Sequence, residues 1–407
     1  MVKMDAGLMN LTNKRIILNL IRQKKQISRS EIAKKTGLTA PSITRIVDSL
    51  VHNDELVEYI GPGHSNGGRP PLMVKFKSEK NYIIGIDLGA TYIRGCMVDL
   101  YGNFISEVQV PTEIDQGFAF IIEKLVSIIN KLESRKEASA KIWGVGIGVA
   151  GLVNSNTGII ESSPDFKWYN VNLHEKLKDK IDLPFFYDNS TRLMALGELD
   201  FGNKKNLKNF AVINVGYGIA AGLVIEGNLV NGHKGFAGEF GHISVDTDSK
   251  VQCKCGMYGC LEALASGNRI ANLGEMVLKN DQSELLKELC HNNKNHVTAE
   301  IVSRAARQGD PESQKIYDEI TEYLCKGIGT IANLLNPETI FIGGGISLNG
   351  KFFFDLLNNK KSKYFLEPNQ DIKIQPSSFG DQATSMGAVS LVLEKILNLE
   401  LSISESD

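Results

Sequence analysis

Tyr82-Ile83-Ile84-Gly85-Ile86-Asp87-Leu88-Gly89-Ala90-Thr91, followed by Ile93-Arg94-Gly95-Cys96-Met97-Val98-Asp99, reads as two strands joined at a glycine-containing turn. A weaker echo comes later, with Phe210-Ala211-Val212-Ile213-Asn214-Val215-Gly216-Tyr217-Gly218 and then Ala220-Ala221-Gly222-Leu223-Val224-Ile225. Two such hairpins far apart in one chain point to a duplicated α/β lobe.

The chain around them has 407 residues, 42% apolar and 23% charged, which suits two or three globular domains and excludes disordered, collagen-like and small disulfide-scaffold proteins. Its longest apolar run, Ile142–Val153, contains four glycines and falls well short of the ~20 residues a membrane span needs. The N-terminal MVKMDAGLMNLTNKR lacks the apolar stretch of a secretory signal. A cytoplasmic protein with no membrane partner is expected, and there its six cysteines should be free or metal-bound.

The net charge of -2 hides an asymmetry. Residues 1–80 hold fourteen Lys and Arg against seven Asp and Glu, while the remainder holds 31 against 40. The basic head carries three helical patterns over residues 11–52. Ile16, Ile17, Leu20 and Ile21 form an apolar stripe in the first. The second opens on the capping box Ser28-Arg29-Ser30-Glu31 and closes at Gly37. Thr39 can cap the third, where Ile43, Ile46, Val47 and Leu50 bury one face and leave Ser42, Thr44, Arg45, Asp48 and Ser49 outside. Helix, tight turn, then a helix presenting small polar residues and an arginine is the helix-turn-helix arrangement, in which the last helix enters the major groove of double-stranded DNA. Leu56–Ile60 and Leu72–Phe76 read as wing strands around a Gly- and Pro-rich tip at 61–71, where Arg69 is a candidate minor-groove contact. Thr39, Ser42, Thr44, Arg45 and Arg69 are the candidate DNA-binding residues.

His242 precedes Cys253-x-Cys255-x4-Cys260. One nitrogen and three sulfur ligands make a closed tetrahedral zinc set, hence a structural metal. Cys96, Cys290 and Cys325 have no such company, and core packing is expected of them. Glu239 lies three residues before His242 and Glu262 two after Cys260. The metal would thereby fix two carboxylates able to accept hydrogen bonds from vicinal hydroxyls.

Asp87-Leu88-Gly89-Ala90-Thr91, Gly146-Ile147-Gly148-Val149-Ala150-Gly151, Ala195-Leu196-Gly197-Glu198, Gly238-Glu239-Phe240-Gly241-His242, Cys253–Glu262 and Gly343-Gly344-Gly345-Ile346-Ser347 occur in the order seen in the ROK family (repressors, open reading frames and kinases). With its basic head the chain resembles the family's repressor branch, which includes xylose repressor-type regulators. The resemblance implies an α/β two-lobed actin/hexokinase-like body, a ribonuclease H-like duplication with a sugar cleft between its lobes, behind an N-terminal winged helix-turn-helix domain. The head would occupy 1–78 and the body 79–407, lobe 1 spanning about 79–190 plus a C-terminal helix at about 382–398, and lobe 2 about 191–381. It further implies that Asn189, Glu239, His242 and Glu262 contact a sugar with help from the backbone near Gly151, and that the chain forms a homodimer or a dimer of dimers.

The resemblance also bears on catalysis. Family kinases carry Asn-Asp ahead of a helix ending near Leu-Gly-Glu, the Asp being the base. Aligning on Leu196-Gly197-Glu198 without gaps puts Asn189 on the Asn and Ser190 on the Asp. Serine is no base near neutral pH, and Asp188 would face the other way along an extended segment unless a one-residue irregularity intervenes. In the second phosphate loop, Gly216-Tyr217-Gly218-Ile219-Ala220-Ala221-Gly222, side chains stand where backbone would have to approach phosphate. Asp87, Gly89, Thr91, Gly216 and Gly218 are then remnants of a nucleotide site, and no catalytic residue is assigned. The expectation is a transcriptional repressor of carbohydrate-utilisation genes, acting at the nucleoid and released from a palindromic operator by a sugar: xylose first, glucose or N-acetylglucosamine next. The alternatives are an active ATP-dependent sugar kinase with a DNA-binding head, and a zinc-stabilised interaction protein that binds no sugar.

Overall fold

The computed structural model describes residues 6–63, 70–155, 157–204 and 207–401. The chain forms two compact units, one of Met1–Ile147, Asn172–Phe186 and Ala388–Asp407, the other of Gly148–Val171 and Tyr187–Gly387.

In the first unit the head forms as its pattern dictates. Helices Ala6–Lys24, Arg29–Thr36 and Ala40–His52 are accompanied by strands Gln26–Ser28, Val57–Pro62 and Leu72–Phe76. The last of these lies between the other two, antiparallel to both. Ser28 Oγ accepts from Glu31 N–H at 3.1 Å, and Gly37 ends that helix at φ 70°. Thr39 caps the next helix, which buries Ile43, Ile46, Val47 and Leu50. The wing tip with Arg69 lies outside the described residues.

The head is knitted to the sheet behind it. Tyr101 donates its hydroxyl to Lys25 O at 2.7 Å and accepts from Phe76 N–H at 3.0 Å. Asn81 donates to Glu55 O and Lys77 O and accepts from Trp143 Nε1–H. Arg15 donates twice to Asn398 O, just past the C-terminal helix Ala383–Leu397, where a cation meets the negative end of the helix dipole.

That sheet runs in the order Phe185–Asn189, Lys141–Val149, Asn81–Leu88, Tyr92–Asp99, Phe104–Pro111. Helix Phe118–Glu133 packs on it through Ile121, Ile122, Leu125, Ile128, Ile129 and Leu132. The second unit repeats the plan with Asn228–Leu229, Ile219–Ile225, Phe210–Val215, Thr339–Gly343 and Lys373–Pro376. Both quoted hairpins are antiparallel pairs at corresponding places in two five-stranded sheets. The second sheet's core is closed by the long helix Pro311–Leu335 and its neighbours.

The division differs from expectation: the head shares the first unit with the residues that follow it, and the crossings fall after Ile147, Val171, Phe186 and Gly387. Residues 148–171, with strands Leu152–Asn154, Ile159–Ser163 and most of Trp168–Asn172, belong to the second unit. The contacts explain it: Asn189 Nδ2 donates to Gly151 O at 2.8 Å, and Lys254 Nζ reaches Asp165 Oδ1 at 3.1 Å. Among the described residues no helix is long and apolar enough to cross a membrane.

Candidate metal centre and the carboxylates around it

His242 closes a short 3-10 turn, Phe240–His242, and the cysteines sit on a tight loop just beyond. Bridges Gln252–Tyr258 and Ser244–Cys260 make that loop a miniature hairpin. Cys253 N–H donates to Met257 O at 2.7 Å, and Gly256 N–H returns to Cys253 O at 2.9 Å. Gly259 is required: at φ 69° its missing Cβ would lie 1.9 Å from Asp246 O.

One ligand atom from each of His242, Cys253, Cys255 and Cys260 lies within 4.8 Å of every other. Cys255 Sγ to Cys260 Sγ is 3.8 Å, and Cys253 Sγ to His242 Nδ1 is 3.6 Å. A tetrahedral zinc, with Zn–S about 2.3 Å and Zn–N about 2.0–2.1 Å, has edges of about 3.8 Å and about 3.6 Å. The residues therefore fit such an ion. Burial pushes the Cys253 thiol up and the Cys260 thiol up to about 12, so a bound dication must displace protons from them. Cys96, Cys290 and Cys325 are buried in the core, as expected.

His242 uses its two ring nitrogens differently. Nδ1 faces Cys253, whereas Nε2 lies 3.9 Å from Glu239 Oε2. Burial raises the Glu239 carboxyl above its ordinary value; His242 opposes the rise and Glu262 adds to it. Cys260 leads into the short helix Leu261–Ala265, which sets Glu262 in its first turn. Glu262 Oε2 accepts from Ile219 N–H at 2.9 Å, and a Cβ on Gly218 would lie 2.4 Å from that oxygen. A side chain at 218 would therefore press the Glu262 carboxylate away from Ile219 N–H.

Asn189 begins the helix Ser190–Phe201. Its Oδ1 accepts from Thr191 and Arg192 N–H while its Nδ2 holds Gly151 O, leaving one amide hydrogen free for a ligand. Asp188 is buried, and Arg192 grips both its oxygens, Nε to Oδ1 at 2.9 Å and Nη2 to Oδ2 at 3.2 Å. The same guanidinium donates to Val230 O and Asn231 O. Ser190 Oγ is buried without a hydrogen-bond partner. Glu198 of the Leu-Gly-Glu stretch is structural: it accepts from Ser377 Oγ, Ser378 N–H and Ser378 Oγ.

The second phosphate loop needs one correction. Ala220 and Ala221 pair with Asn214 and Ile213 inside a strand, so their methyl groups do not line the turn. The turn is Gly216–Gly218, with Tyr217 58% exposed, and the expected obstruction narrows to that phenol. In the first hairpin Gly89 N–H donates to Tyr92 O, and a Cβ there would lie 2.8 Å from that oxygen. Thr91 O accepts from Thr112 N–H, and Asp87 is paired to Arg94 at 3.8 Å.

On the head, Thr39 and Arg45 are exposed and Ser42 and Thr44 half-buried. Asp48 is occupied by the Tyr59 hydroxyl at 2.5 Å, and Arg29 lies over the Tyr59 ring. Burial, followed by that bond, pushes the phenol up to about 12. Lys254, Asp165 and Arg192 went unnoticed in the sequence. Only Arg192 left a signal there, since Asp and Arg four apart at the start of a helix can pair.

The pattern of the ROK family matches residues 83–395, and a winged helix-turn-helix DNA-binding pattern matches residues 11–53. A xylose repressor of Caldicellulosiruptor bescii is 30% identical over 395 residues, covering 96% of this chain and 98% of its own. A glucokinase of Halalkalibacterium halodurans is 31% identical, covering 78% of this chain and 97% of its own. The crystal structure of a ROK family transcriptional regulator, homologous to the E. coli MLC protein, matches with a TM-score of 0.83 at 26% identity, covering 97% of this chain and 98% of its own.

Proposed function

The chain belongs to the ROK family, and from that premise we propose that it is a sugar-responsive transcriptional repressor of carbohydrate-utilisation genes, with xylose as the first effector to test and glucose or N-acetylglucosamine next. The observation that carries the reading is the winged head, its three helices and three strands joined to the body by Arg15, Tyr101 and Asn81. The glucokinase relative covers 78% of this chain, whereas the xylose repressor covers 96% of it.

Two divisions of labour follow. Residues 1–78 read double-stranded operator DNA, with Thr39, Ser42, Thr44 and Arg45 on the groove-facing helix and Arg69 on the wing. Residues 79–407 bind the effector. Zinc would supply a structural crosslink there, and His242, Cys253, Cys255 and Cys260 would hold it. The chain's own residues do the recognition. His242 Nε2, Glu239, Glu262 and the free amide hydrogen of Asn189 take the sugar hydroxyls, and Gly151 seats the Asn189 amide. As a homodimer or dimer of dimers in the cytoplasm, the protein would hold two heads against a palindrome with half-sites whole helical turns apart. A sugar releases it only by binding the DNA-incompetent state more tightly than the competent one.

The Asp188–Arg192 pair and the serine at 190 support a body that binds sugar without phosphorylating it. The first experiment is a thermal-shift titration of the full chain with xylose, glucose, N-acetylglucosamine and fructose. A ligand that binds only the folded state stabilises it by RT ln(1 + [L]/Kd), about 2.7 kcal/mol at 100 Kd. A selective shift is expected; none with any sugar overturns the effector assignment. Sugar-dependent ADP formation by the same preparation would favour the kinase reading instead. For the head, Arg45→Ala should weaken binding to an operator selected from a random duplex library by about tenfold. Unchanged affinity would remove that helix from the groove.

A further inference from the structure

Lys254 stands between two of the cysteines and contributes nothing to the metal set. Its ammonium lies 3.1 Å from Asp165 Oδ1 and 3.6 Å from Glu262 Oε1. Asp165 belongs to the turn between strands Ile159–Ser163 and Trp168–Asn172, where the Phe166 and Trp168 rings pack against each other at a tilt, 4.6 Å apart. The lysine therefore ties the metal loop to that turn through Asp165 and at the same time holds Glu262 Oε1, whose partner oxygen accepts from Ile219 N–H.

The chemistry of the carboxylate decides what such a contact does. An ionised carboxylate offers about four lone-pair sites on two oxygens, so Oε1 can accept from Lys254 and from a ligand hydroxyl together. The lysine thus orients an acceptor without using it up. In its absence Asp165 and Glu262 would meet as like charges, with Glu239 adding a third.

We propose that Lys254 is a positioning residue of the effector site, aiming Glu262 Oε1 at the sugar and clamping the 164–167 turn beside it through Asp165. The proposal rests on the reading that Glu262 binds a sugar, and the test separates the two. Zinc-loaded full-length chains, wild type and variant, are titrated calorimetrically with D-xylose, D-glucose and N-acetylglucosamine, and their zinc content is measured. Lys254→Met should weaken the sugar that wild type binds by about tenfold while keeping its zinc, and Lys254→Arg should restore most of that affinity. Asp165→Asn should weaken binding alone, and combined with Lys254→Met should cost less than the sum of the two. Wild-type affinity in a zinc-replete Lys254→Met chain overturns the proposal, as does loss of zinc from it, which would make the lysine a support of the metal loop. If Asp165→Asn binds normally, the clamp falls. If wild type binds none of the sugars, the effector reading fails first and the proposal with it.

Discussion

Serine in place of Cys260 is expected to abolish metal binding and unfasten the Glu239 and Glu262 carboxylates in one step. Cys260 is one of the four residues placed to hold a metal, leads directly into the helix bearing Glu262, and bridges to Ser244 beside His242. Removing it leaves three ligands for a tetrahedral ion, and the miniature hairpin loses its crosslink. A structural zinc contributes folding free energy outright. At a loss of about 3 kcal/mol, a unit of this size should melt roughly 6–12 °C lower. The measurement is zinc content together with a thermal melt, and a variant that keeps its zinc and its Tm refutes the assignment. The pH dependence has a definite sign. Because burial raises the Cys253 and Cys260 thiols, binding must displace their protons, so zinc affinity falls as pH falls. A chromophoric chelator should strip the metal faster at pH 6 than at pH 8, and the opposite order would exclude these thiols as ligands.

The second large effect is expected at Arg192. Its guanidinium and the Asp188 carboxylate are 3% and 4% exposed and bind through both oxygens. Taking one partner away strands the other as a buried charge, at about 3–5 kcal/mol. Arg192→Met should therefore lower the urea midpoint sharply, and Asp188→Asn nearly as much. The pair Asp188→Asn with Arg192→Met should be less harmful than the sum of the singles, because neither charge is then orphaned. A single variant losing less than about 1 kcal/mol would mean that water reaches the pair, and Asp188 would return as a candidate proton acceptor.

Local signals carried the head almost completely. Ser28 with Glu31, Gly37, Thr39 and the four apolar positions from Ile43 to Leu50 all act within a few residues, where capping and helical period decide the outcome. The metal set was legible for a similar reason, since three of its ligands fall on one short loop. Helical period places Asp48 on the open face, and Tyr59 from the wing strand reaches across and takes it. Family comparison counts Ala220 and Ala221 with the phosphate loop, whereas pairing with Asn214 and Ile213 keeps them in the hairpin's second strand.

The two hairpins, the winged head, the set of one histidine and three cysteines, and the family were all legible in the chain, because each rests on spacing within a short window or on ordered motifs. Tertiary packing alone pairs Arg192 with Asp188, brings Gly218 against the Glu262 carboxylate, and joins Asp165 to Glu262 through Lys254. Asp165 and Lys254 are far apart along the chain, as are Gly218 and Glu262, and no periodicity links them. For Arg192, spacing permitted a partner, but burial of both groups in one place made the pairing obligatory.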